Sequence, residues 1–393
     1  MAESPNGLKG LVEPTELVAW LREHLPATGR LVSDSRRVGK GDAFFALHGR
    51  RQDGSTFIAQ AVQQGAAAVV VAIPAQACQA EDAAEGDAAQ AEHAACGNFD
   101  YFKNLPTLPD GIQVPVCYVP CLGTQLGALA DEYYDHPSQV LDVVAVTGTN
   151  GKTSTTHWIA QGVNDRLARA GDALAVDANT PSRPADTPSQ RPAEFAGLVI
   201  ALDGDADTSM QPGRGRGVVI GTNGVGTPGA LEYIGLTTPD PLTLQTLFQR
   251  FRADTEAPVG VVAMEASSIG LVQGRMQGTC IHTAVFTNLT RDHLDYHGSM
   301  QAYGAAKVGL FSWPTLQAAV VNLGDPLATE IIEVLHRHPA APRIIGYWVN
   351  NAHGAPQAGQ ADAAFQAMDD DARARLRRFY ELAMRCDEVL ELA

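Results

Sequence analysis

Residues 141–153 read Leu-Asp-Val-Val-Ala-Val-Thr-Gly-Thr-Asn-Gly-Lys-Thr, an apolar run of the buried-strand type that leads directly into a glycine-rich loop. Glycines at 148 and 151 allow backbone N–H groups to converge on phosphate oxygens without obstruction by a Cβ atom. The helix predicted to follow would direct its positive end toward the same anion. The stretch therefore predicts an ATP-binding phosphate loop formed by Gly148, Thr149, Asn150, Gly151, Lys152, Thr153 and Ser154.

Two residues of the loop carry the chemistry of this prediction. Lys152 can bridge the β- and γ-phosphates, and the Thr153 hydroxyl can ligate Mg²⁺. Val146 stands where the broad P-loop pattern has a glycine, so the loop is the shorter G-x-x-G-K-T variant. The alternative is a chance Gly-Lys-Thr turn. A second copy of the tetrapeptide, Gly221–Gly224, lacks the Lys-Thr pair, and we expect a simple turn there.

Short apolar runs alternate with helical stretches on both sides of the loop, which predicts an α/β fold with a mainly parallel sheet covered on both faces. We expect a small N-terminal α/β domain over residues 1–136 and a central domain over residues 137–350. The tail, residues 351–393, matches no pattern that we can assign. Predicted strands lie at residues 43–47, 68–71, 114–119, 141–147, 259–264, 283–286 and 318–321.

Two segments interrupt these domains and have the composition of insertions. Residues 74–112 are of low complexity, and residues 165–217 are rich in Ala, Asp, Pro and Arg with little periodicity. The helix after the phosphate loop should accordingly end near Val163. The central domain is expected to be incomplete at the C-terminus, losing its later strands after Asp325, and the apolar spacing over residues 370–392 predicts a helix.

The bulk composition limits the class of function. The chain has 393 residues, 45% of them hydrophobic, and a formal net charge of −16, which argues against nucleic acid or an anionic membrane as the main partner. Its six cysteines include no paired CxxC units, so a structural zinc site is not expected. No signal peptide is evident, and no apolar run reaches the roughly 18 residues of a membrane helix. We expect a cytoplasmic monomer.

Glu265 suggests a metal ligand, and two later segments could accompany it, each with an ordinary alternative. Glu265 follows a buried strand, where an α/β sheet places ligands, although a strand-end charge is common. His293 lies in the Asp- and His-rich segment 287–297, which could instead be a capped helix start. Lys307 lies on a predicted helix, where a lysine is usually at the surface.

Taken together and in order, these segments resemble the Mur ligases of peptidoglycan synthesis, and within them the MurE type. The resemblance extends to the N-terminal segment, where two short motifs look like those of the family's uridine-binding domain. The residues that carry it are Ser33–Arg36, Gln52–Gly54, Gly148–Ser154, Thr237–Asp240, Met264–Arg275, Thr287–Gly298 and Ala305–Lys307.

The resemblance implies an ATP-dependent amide ligase. Such an enzyme adds a diamino acid, meso-diaminopimelate or L-lysine, to UDP-N-acetylmuramoyl-L-alanyl-D-glutamate through an acyl phosphate. ATP and Mg²⁺ would be required, and Lys152 and Lys307 would be catalytic, with Lys307 carbamylated. The implied metal ligands are Thr153, Glu265, His293 and Lys307. The implied residues for the UDP-sugar peptide are Ser35, Thr237, Thr238, Ser267, Gln273 and Arg275.

The chain also departs from the family pattern. Ile269 stands where the family has a histidine, and we find no Asp-Asn-Pro-Arg motif, so the C-terminal ligase domain is expected to be absent. The alternative function is therefore a catalytically incompetent protein that holds ATP or UDP-MurNAc-peptide without joining an amine. A different P-loop enzyme, such as a small-molecule kinase, is a third hypothesis, which the acceptor motifs disfavour.

Overall fold

The computed structural model describes residues 14–47, 53–73, 113–120, 122–175, 215–349 and 382–392. These residues form two compact units. The first comprises the described parts of residues 1–137 together with residues 240–249 and 276–279, and the second comprises the remainder. The first unit therefore includes two segments from positions that we had assigned to the central domain.

The first unit contains a four-stranded sheet whose neighbouring strands are all parallel, in the order β1-β2-β3-β4. Its strands are β1 Leu31–Val32, β2 Ala43–Ala46, β3 Ala68–Ile73 and β4 Val116–Pro120. Its helices outside the two later segments are α1 Pro14–His24, α2 Ile58–Gln63 and α3 Leu122–Tyr133. Since successive side chains of a strand point to opposite faces, the sheet can bury both faces against helices.

The two phenylalanines of β2 illustrate this packing. Phe45 packs in one apolar cluster with Leu17 of α1 and Leu129 of α3. Phe44 points to the other face and packs in a second cluster with Ile58 of α2. All five side chains are almost fully buried. The alternation of β2 therefore explains why α2 covers the face opposite to α1 and α3.

The second unit contains a nine-stranded sheet in the order β13-β12-β11-β10-β5-β9-β6-β7-β8. The pairs from β13 to β6 are parallel, whereas β6, β7 and β8 pair antiparallel. The strands are β5 Asp142–Thr147, β6 Arg216–Gly221, β7 Gly224–Thr227, β8 Ala230–Glu232, β9 Val259–Glu265, β10 Thr283–Phe286, β11 Ala318–Asn322, β12 Arg343–Val349 and β13 Glu388–Leu392. The predicted α/β fold with a mainly parallel sheet is confirmed.

The helices after β5 connect these strands. They are α4 Lys152–Ala175, α5 Pro241–Ala253, α6 Ser268–Val272, α7 Leu294–His297, α8 Met300–Val308 and α9 Ala328–His336. The central strand β5 shows how the sheet and its helices share a core. Val144 and Val146 pack with Ile159 of α4 and with Val285 and Val320 of the next two strands.

The structure corrects the sequence analysis in three places. Helix α4 continues to Ala175 instead of ending near Val163, because residues 164–175 include many strong helix formers. The predicted helix over residues 370–392 is wrong for Glu388–Leu392, which form β13 beside β12. The strands β12 and β13 also follow Asp325, where we had expected the sheet to lose its later strands.

The remaining expectations have mixed outcomes. The predicted turn at Gly221–Gly224 is confirmed, since it joins the antiparallel strands β6 and β7. The predicted insertion at residues 74–112, and residues 176–214 of the second insertion, lie outside the described residues. Within the described ranges, none of the helices combines the length and apolar character needed to cross a bilayer.

Candidate active site

Four strands of the larger sheet end at one edge, in the order β10, β5, β9 and β6. Their last residues are Phe286, Thr147, Glu265 and Gly221. In open α/β sheets, ligands bind beyond the carboxyl ends of the strands, since the loops that follow neighbouring strands meet there. Side chains that are far apart in sequence therefore gather at this edge.

The glycine-rich loop after β5 has a backbone that other residues would not adopt easily. Gly148 has φ +147° and Gly151 has φ +84°. A Cβ atom at Gly148 would overlap the Thr287 hydroxyl. The segment after β10 holds the loop, since the Thr149 N–H donates to the Asn288 carbonyl at 2.8 Å and the Asn150 N–H donates to Asn288 Oδ1 at 3.1 Å.

Lys152 is the first residue of α4, and its side chain folds over the loop. Its ammonium group donates to the carbonyls of Gly148 at 2.8 Å and Thr149 at 2.9 Å. Burial lowers the pKa of Lys152, while the negative charges of Glu265 and Asp292 oppose this shift. The loop therefore places a partly desolvated cation next to backbone groups that can bind an anion.

Glu265, at the end of β9, has only 1% of its surface exposed. Its Oε1 accepts hydrogen bonds from the Thr153 hydroxyl at 2.9 Å and from the Thr222 N–H at 2.8 Å. Its Oε2 accepts from the Thr222 hydroxyl at 3.3 Å. A buried carboxylate is expensive unless it is hydrogen-bonded, so these contacts explain how Glu265 can stay in place.

Lys307 is buried on α8, with 1% of its surface exposed. Its Nζ lies 4.2 Å from the ring centroid of Tyr303, a cation–π contact. Burial, together with the positive charge of Lys152, lowers the pKa of Lys307 to about 7. A substantial share of this amine is therefore neutral near neutral pH. The surface-lysine alternative is wrong for this residue.

His293 precedes helix α7 and has a left-handed backbone with φ +49°. Its ring lies edge-on to Tyr303, with 6.0 Å between centroids, and its Nε2 lies 3.6 Å from a carboxylate oxygen of Asp292. Tyr303 also contacts the glycine loop, because its hydroxyl lies 3.2 Å from Thr149 Oγ1. Tyr303 thus links the loop, His293 and Lys307.

These groups surround one cavity of about 310 Å³. It brings together all five residues that we predicted to be catalytic or metal-binding, and two of the predicted acceptor residues. Its lining consists of Thr149, Asn150, Gly151, Lys152, Thr153, Thr222, Thr237, Glu265, Ser267, Ser268, His293, Tyr303 and Lys307. In the part of the chain that the structure describes, no three His, Cys, Asp or Glu residues are close enough to hold a metal together.

Three of the other predicted acceptor residues, Thr238, Gln273 and Arg275, do not line the cavity but are connected by hydrogen bonds. The fully buried Thr238 donates its hydroxyl to the Glu265 carbonyl at 2.8 Å and accepts from the Ser267 N–H at 3.0 Å. Arg275 donates to the Thr238 carbonyl at 2.8 Å and also to Gln273 Oε1 at 2.7 Å. These three residues therefore form a hydrogen-bonded support for the segments that carry Thr237 and Ser267.

Three further predicted residues, Gly148, Ser35 and Ser154, are not part of the lining of this cavity. Ser35, in the first unit, is 6% exposed, and its hydroxyl donates to Gln60 Oε1 at 2.9 Å. Ser154 belongs to the first turn of α4 and does not line the cavity. Their predicted roles stay predictions.

Sequence reasoning missed four residues of the site: Thr222, Ser268, Asn288 and Tyr303. His297, which the sequence analysis did not assign, lies 3.0 Å from the Ser268 hydroxyl through its Nε2. Burial and the positive charges of His293 and Lys307 lower the pKa of His297. Ser268, Asn288 and His297 lie in segments already chosen for other residues, and Thr222 lies in the second copy of the tetrapeptide, for which we had predicted only a turn. Tyr303 has no motif that could have identified it.

Comparisons with known proteins agree with the sequence resemblance. The Mur ligase middle domain matches residues 209–371, and the Mur ligase family catalytic domain matches residues 30–99. The chain is similar to the UDP-N-acetylmuramoyl-L-alanyl-D-glutamate--2,6-diaminopimelate ligase of Acidovorax sp. (strain JS42), with 37% identity over 82% of this chain and 49% of the relative.

Two further comparisons give the same picture. The protein of the same name from Pseudomonas aeruginosa is 38% identical over 75% of this chain and 44% of its own length. A solved structure of a ligase with that name is 27% identical, with a TM-score of 0.51, over 82% of this chain and 48% of the other. The chain spans about half the length of the curated relatives it matches. It belongs to the Mur ligase family.

Proposed function

We propose that this chain serves an ATP-dependent amide ligation of the MurE type in peptidoglycan synthesis. The acceptor would be UDP-N-acetylmuramoyl-L-alanyl-D-glutamate, and the incoming amine would be meso-diaminopimelate or L-lysine. The observation that carries the proposal is the cavity in which Lys152, Glu265 and Lys307 meet two predicted acceptor residues, Thr237 and Ser267. The names of the similar proteins point to the same reaction.

The proposed reaction has two steps. A carboxylate oxygen of the acceptor attacks the γ-phosphorus of ATP, which forms an acyl phosphate and releases ADP. The amine then attacks the acyl carbon, which forms the amide bond and releases phosphate and a proton. Phosphoryl transfer requires mainly correct positioning and neutralisation of charge. The cavity offers both.

The glycine loop would bind the phosphates of ATP. The N–H groups of Thr149 and Asn150 donate to Asn288, so the N–H groups that follow them, at the start of α4, would face the phosphate oxygens. The helix dipole favours an anion at the same place. The Lys152 ammonium, which now contacts the carbonyls of Gly148 and Thr149, would exchange these contacts for phosphate oxygens. An ion pair with phosphate would compensate for the partial burial of this lysine.

The donor chemistry of the cavity fits Mg²⁺. Glu265 offers a carboxylate and Thr153 a hydroxyl, and these hard oxygen atoms are 2.9 Å apart. His293 lines the same cavity and would be a further ligand. Mg²⁺ commonly takes one or two carboxylates and completes its shell with phosphate and water, so a nucleotide-bound ion requires no larger protein cluster. When bound, the ion would neutralise charge on the phosphates.

Carbamylation of Lys307 is part of the proposal. A neutral lysine amine can add to CO₂, which gives a carbamate anion and releases one proton. The low pKa of Lys307 supports this step, because the amine is partly neutral near pH 7. The carbamate would replace a buried cation by an oxygen anion that suits Mg²⁺. Growth of a carbamate signal with ¹³C-labelled bicarbonate, lost in Lys307→Met, would test it by NMR.

The acceptor would lie along the wall formed by Thr237 and Ser267. Arg275 suits recognition of a carboxylate or phosphate, since guanidinium can bind either in a bidentate manner. Its guanidinium now donates to the Thr238 carbonyl and to Gln273, next to the segment that carries Thr237. Ser35, in the first unit, is proposed to serve the uridine end of the acceptor. We further propose that the protein acts as a monomer in the cytoplasm, the compartment in which ATP and UDP-linked substrates are available.

The decisive experiment measures ADP release by the chain with ATP, Mg²⁺ and the UDP-dipeptide, in the presence of each diamino acid in turn. We expect release that requires both the acceptor and one of the amines, and the preferred amine identifies the donor. Tight binding of ATP and acceptor without any turnover would contradict ligation by this chain and leave it as a binding protein. ADP release that does not depend on the acceptor would indicate a different P-loop activity.

A further inference from the structure

The turn at residues 221–224 has a role that its sequence did not suggest. The turn joins β6 to β7, and its Thr222 lines the cavity. Unlike the first copy of the tetrapeptide, the turn is not followed by a lysine that could bind phosphate. In the sheet, β6 is the neighbour of β9, the strand that ends at Glu265. The turn is therefore positioned directly beside the buried carboxylate.

Thr222 is hydrogen-bonded to both oxygens of that carboxylate. Its N–H donates to Glu265 Oε1 at 2.8 Å, and its hydroxyl donates to Oε2 at 3.3 Å. Thr153 provides the other contact, to Oε1 at 2.9 Å. Within the described part of the chain, the Thr222 hydroxyl is the one donor to Oε2, so it helps to fix the plane of the carboxylate together with the two donors to Oε1.

The backbone before Thr222 is also fitted to the carboxylate. A Cβ atom at Gly221 would overlap Oε1 of Glu265, although the φ angle of this glycine is ordinary. The glycine is thus needed for close approach and not for an unusual conformation. Two adjacent residues of the turn, Gly221 and Thr222, therefore form a fitted seat for Glu265.

The Thr222 hydroxyl has one further contact, with the Thr237 hydroxyl at 3.0 Å. If Thr237 donates to Thr222, then Thr222 remains free to donate its own proton to Glu265. The resulting chain of hydroxyl groups joins the predicted acceptor segment to the carboxylate. In this arrangement each of the two hydroxyl groups donates its single proton to one acceptor.

We infer that Thr222 is a positioning residue, which orients the Glu265 carboxylate so that it can serve a nucleotide-bound divalent cation. The inference rests on the proposed function, since it requires that ATP binds with Mg²⁺ in this cavity. Thr222 itself is solvent-exposed, so replacing it should not disturb the core. Loss of its hydroxyl would leave one carboxylate oxygen unpaired and let the carboxylate rotate.

The test is a Mg²⁺ titration of ATP binding by the whole chain, with a parallel measurement in EDTA. We expect Thr222→Val to raise the Mg²⁺ concentration for half-maximal binding about tenfold, which is the effect of one hydrogen bond to a charged group. Binding of metal-free ATP should stay within about twofold of wild type. Thr222→Ser, which keeps the hydroxyl, should restore the wild-type Mg²⁺ requirement.

Thr227→Val is the matched control, because Thr227 lies in the same hairpin on β7 but outside the cavity lining. It should behave as wild type. Thr222→Ala gives a second measurement, for which we expect the same tenfold effect should the valine variant be poorly folded. Circular dichroism of each variant checks the fold.

Three results would overturn the inference. These are an unchanged Mg²⁺ requirement in Thr222→Val, an equal loss of binding in EDTA, and ATP binding by the wild-type chain that does not depend on Mg²⁺. The ligase proposal fails separately, if the wild-type chain binds Mg²⁺ and ATP but releases no ADP with acceptor and amine. In that case the role of Thr222 would still stand.

Discussion

Two identical tetrapeptides, Gly-Thr-Asn-Gly at residues 148–151 and at residues 221–224, adopt different structures in this protein. The first follows β5 and leads into the long helix α4, whereas the second follows β6 and turns back into the antiparallel strand β7. Both strands are neighbours of β9 in the sheet. The same four residues therefore occupy equivalent places on either side of Glu265.

The residues that follow each copy explain the difference. Lys152 and the hydroxyl-bearing residues after it continue the first copy as a helix, while Val225 and Gly226 continue the second as a strand. Only the first copy brings a cation to the cavity. The second brings neutral donors from Thr222 to the carboxylate. Phosphate binding is thus expected of one copy alone, and support of Glu265 is expected of the other.

The largest effect should come from removing the cation that distinguishes the first copy. Lys152→Ala should weaken ATP binding by at least about a hundredfold, because several charge-assisted hydrogen bonds to phosphate would be lost. Binding of the UDP-dipeptide should remain measurable. Calorimetric titration with each ligand checks both, with the exposed Lys40→Ala as control. An equal loss of ATP binding and UDP-dipeptide binding would show that Lys152 does not act on ATP alone, contrary to the proposal.

The glycines provide the next comparison. Gly148→Ala should lower the free energy of unfolding by about 2–3 kcal/mol, since φ +147° is strained for alanine and the methyl group would meet Thr287. Gly221→Ala should cost less, about 1–2 kcal/mol, because its φ angle is ordinary and the methyl group displaces only the Glu265 carboxylate, whose hydrogen bonds it weakens. Urea unfolding of each variant measures these differences.

Gly309→Ala is the control for both glycine variants, because a Cβ atom there has nothing within 4 Å and the backbone is helical. Its free energy of unfolding should stay within about 0.5 kcal/mol of wild type. Equal destabilisation by Gly148→Ala and Gly221→Ala would contradict the distinction between a strained loop and a fitted seat.

The charge around the first copy gives a pH-dependent prediction. Lys307 has a pKa of about 7 when folded, well below its value in an unfolded chain, so the unfolded state binds more protons between about pH 7 and pH 10. The stability of the wild type should therefore rise across this range as the buried cation loses its proton. Below pH 7 the full penalty of the buried charge is present.

Lys307→Met should remove this slope. Relative to wild type, the variant should gain about 2 kcal/mol more in the free energy of unfolding at pH 6 than at pH 9. Urea unfolding in CO₂-free buffer measures the difference, and the exposed Lys40→Met should show none. A free energy of unfolding that changes with pH in the same way in the wild type, in Lys307→Met and in Lys40→Met would contradict the assignment.

The smallest effect concerns the amide that holds the first copy from outside. Asn288→Ala should cost about 1 kcal/mol, because Asn288 accepts from the Asn150 N–H and donates to its carbonyl at 3.2 Å. Asn223→Ala, in the exposed turn of the second copy, should change the free energy of unfolding by less than about 0.5 kcal/mol. Urea unfolding measures both variants. A larger destabilisation by Asn223→Ala than by Asn288→Ala would contradict the stabilisation of the first copy by Asn288.

Much of the architecture could be predicted from local patterns. The strand-to-helix character of residues 142–153 and the apolar runs of β9, β10 and β11 follow from periodicity and from the glycine loop. The antiparallel extension by β7 and β8 could not be predicted, because its residues are few and rich in glycine. The apolar spacing over residues 370–392 predicts a helix where β13 forms, because that spacing includes residues before the strand and contains no information about its partner β12.

The amino-acid sequence by itself determined which chemical groups are present: a phosphate loop, an acidic strand end and a lysine on a helix, in the order of the Mur ligases. Only the tertiary structure decided that Thr222, Asn288 and Tyr303 belong to the same site. The physical reason is the order of strands in the sheet, which places β6 and β5 on either side of β9 although they are distant along the chain. Contacts of this kind depend on which strands become neighbours, and no local pattern specifies that.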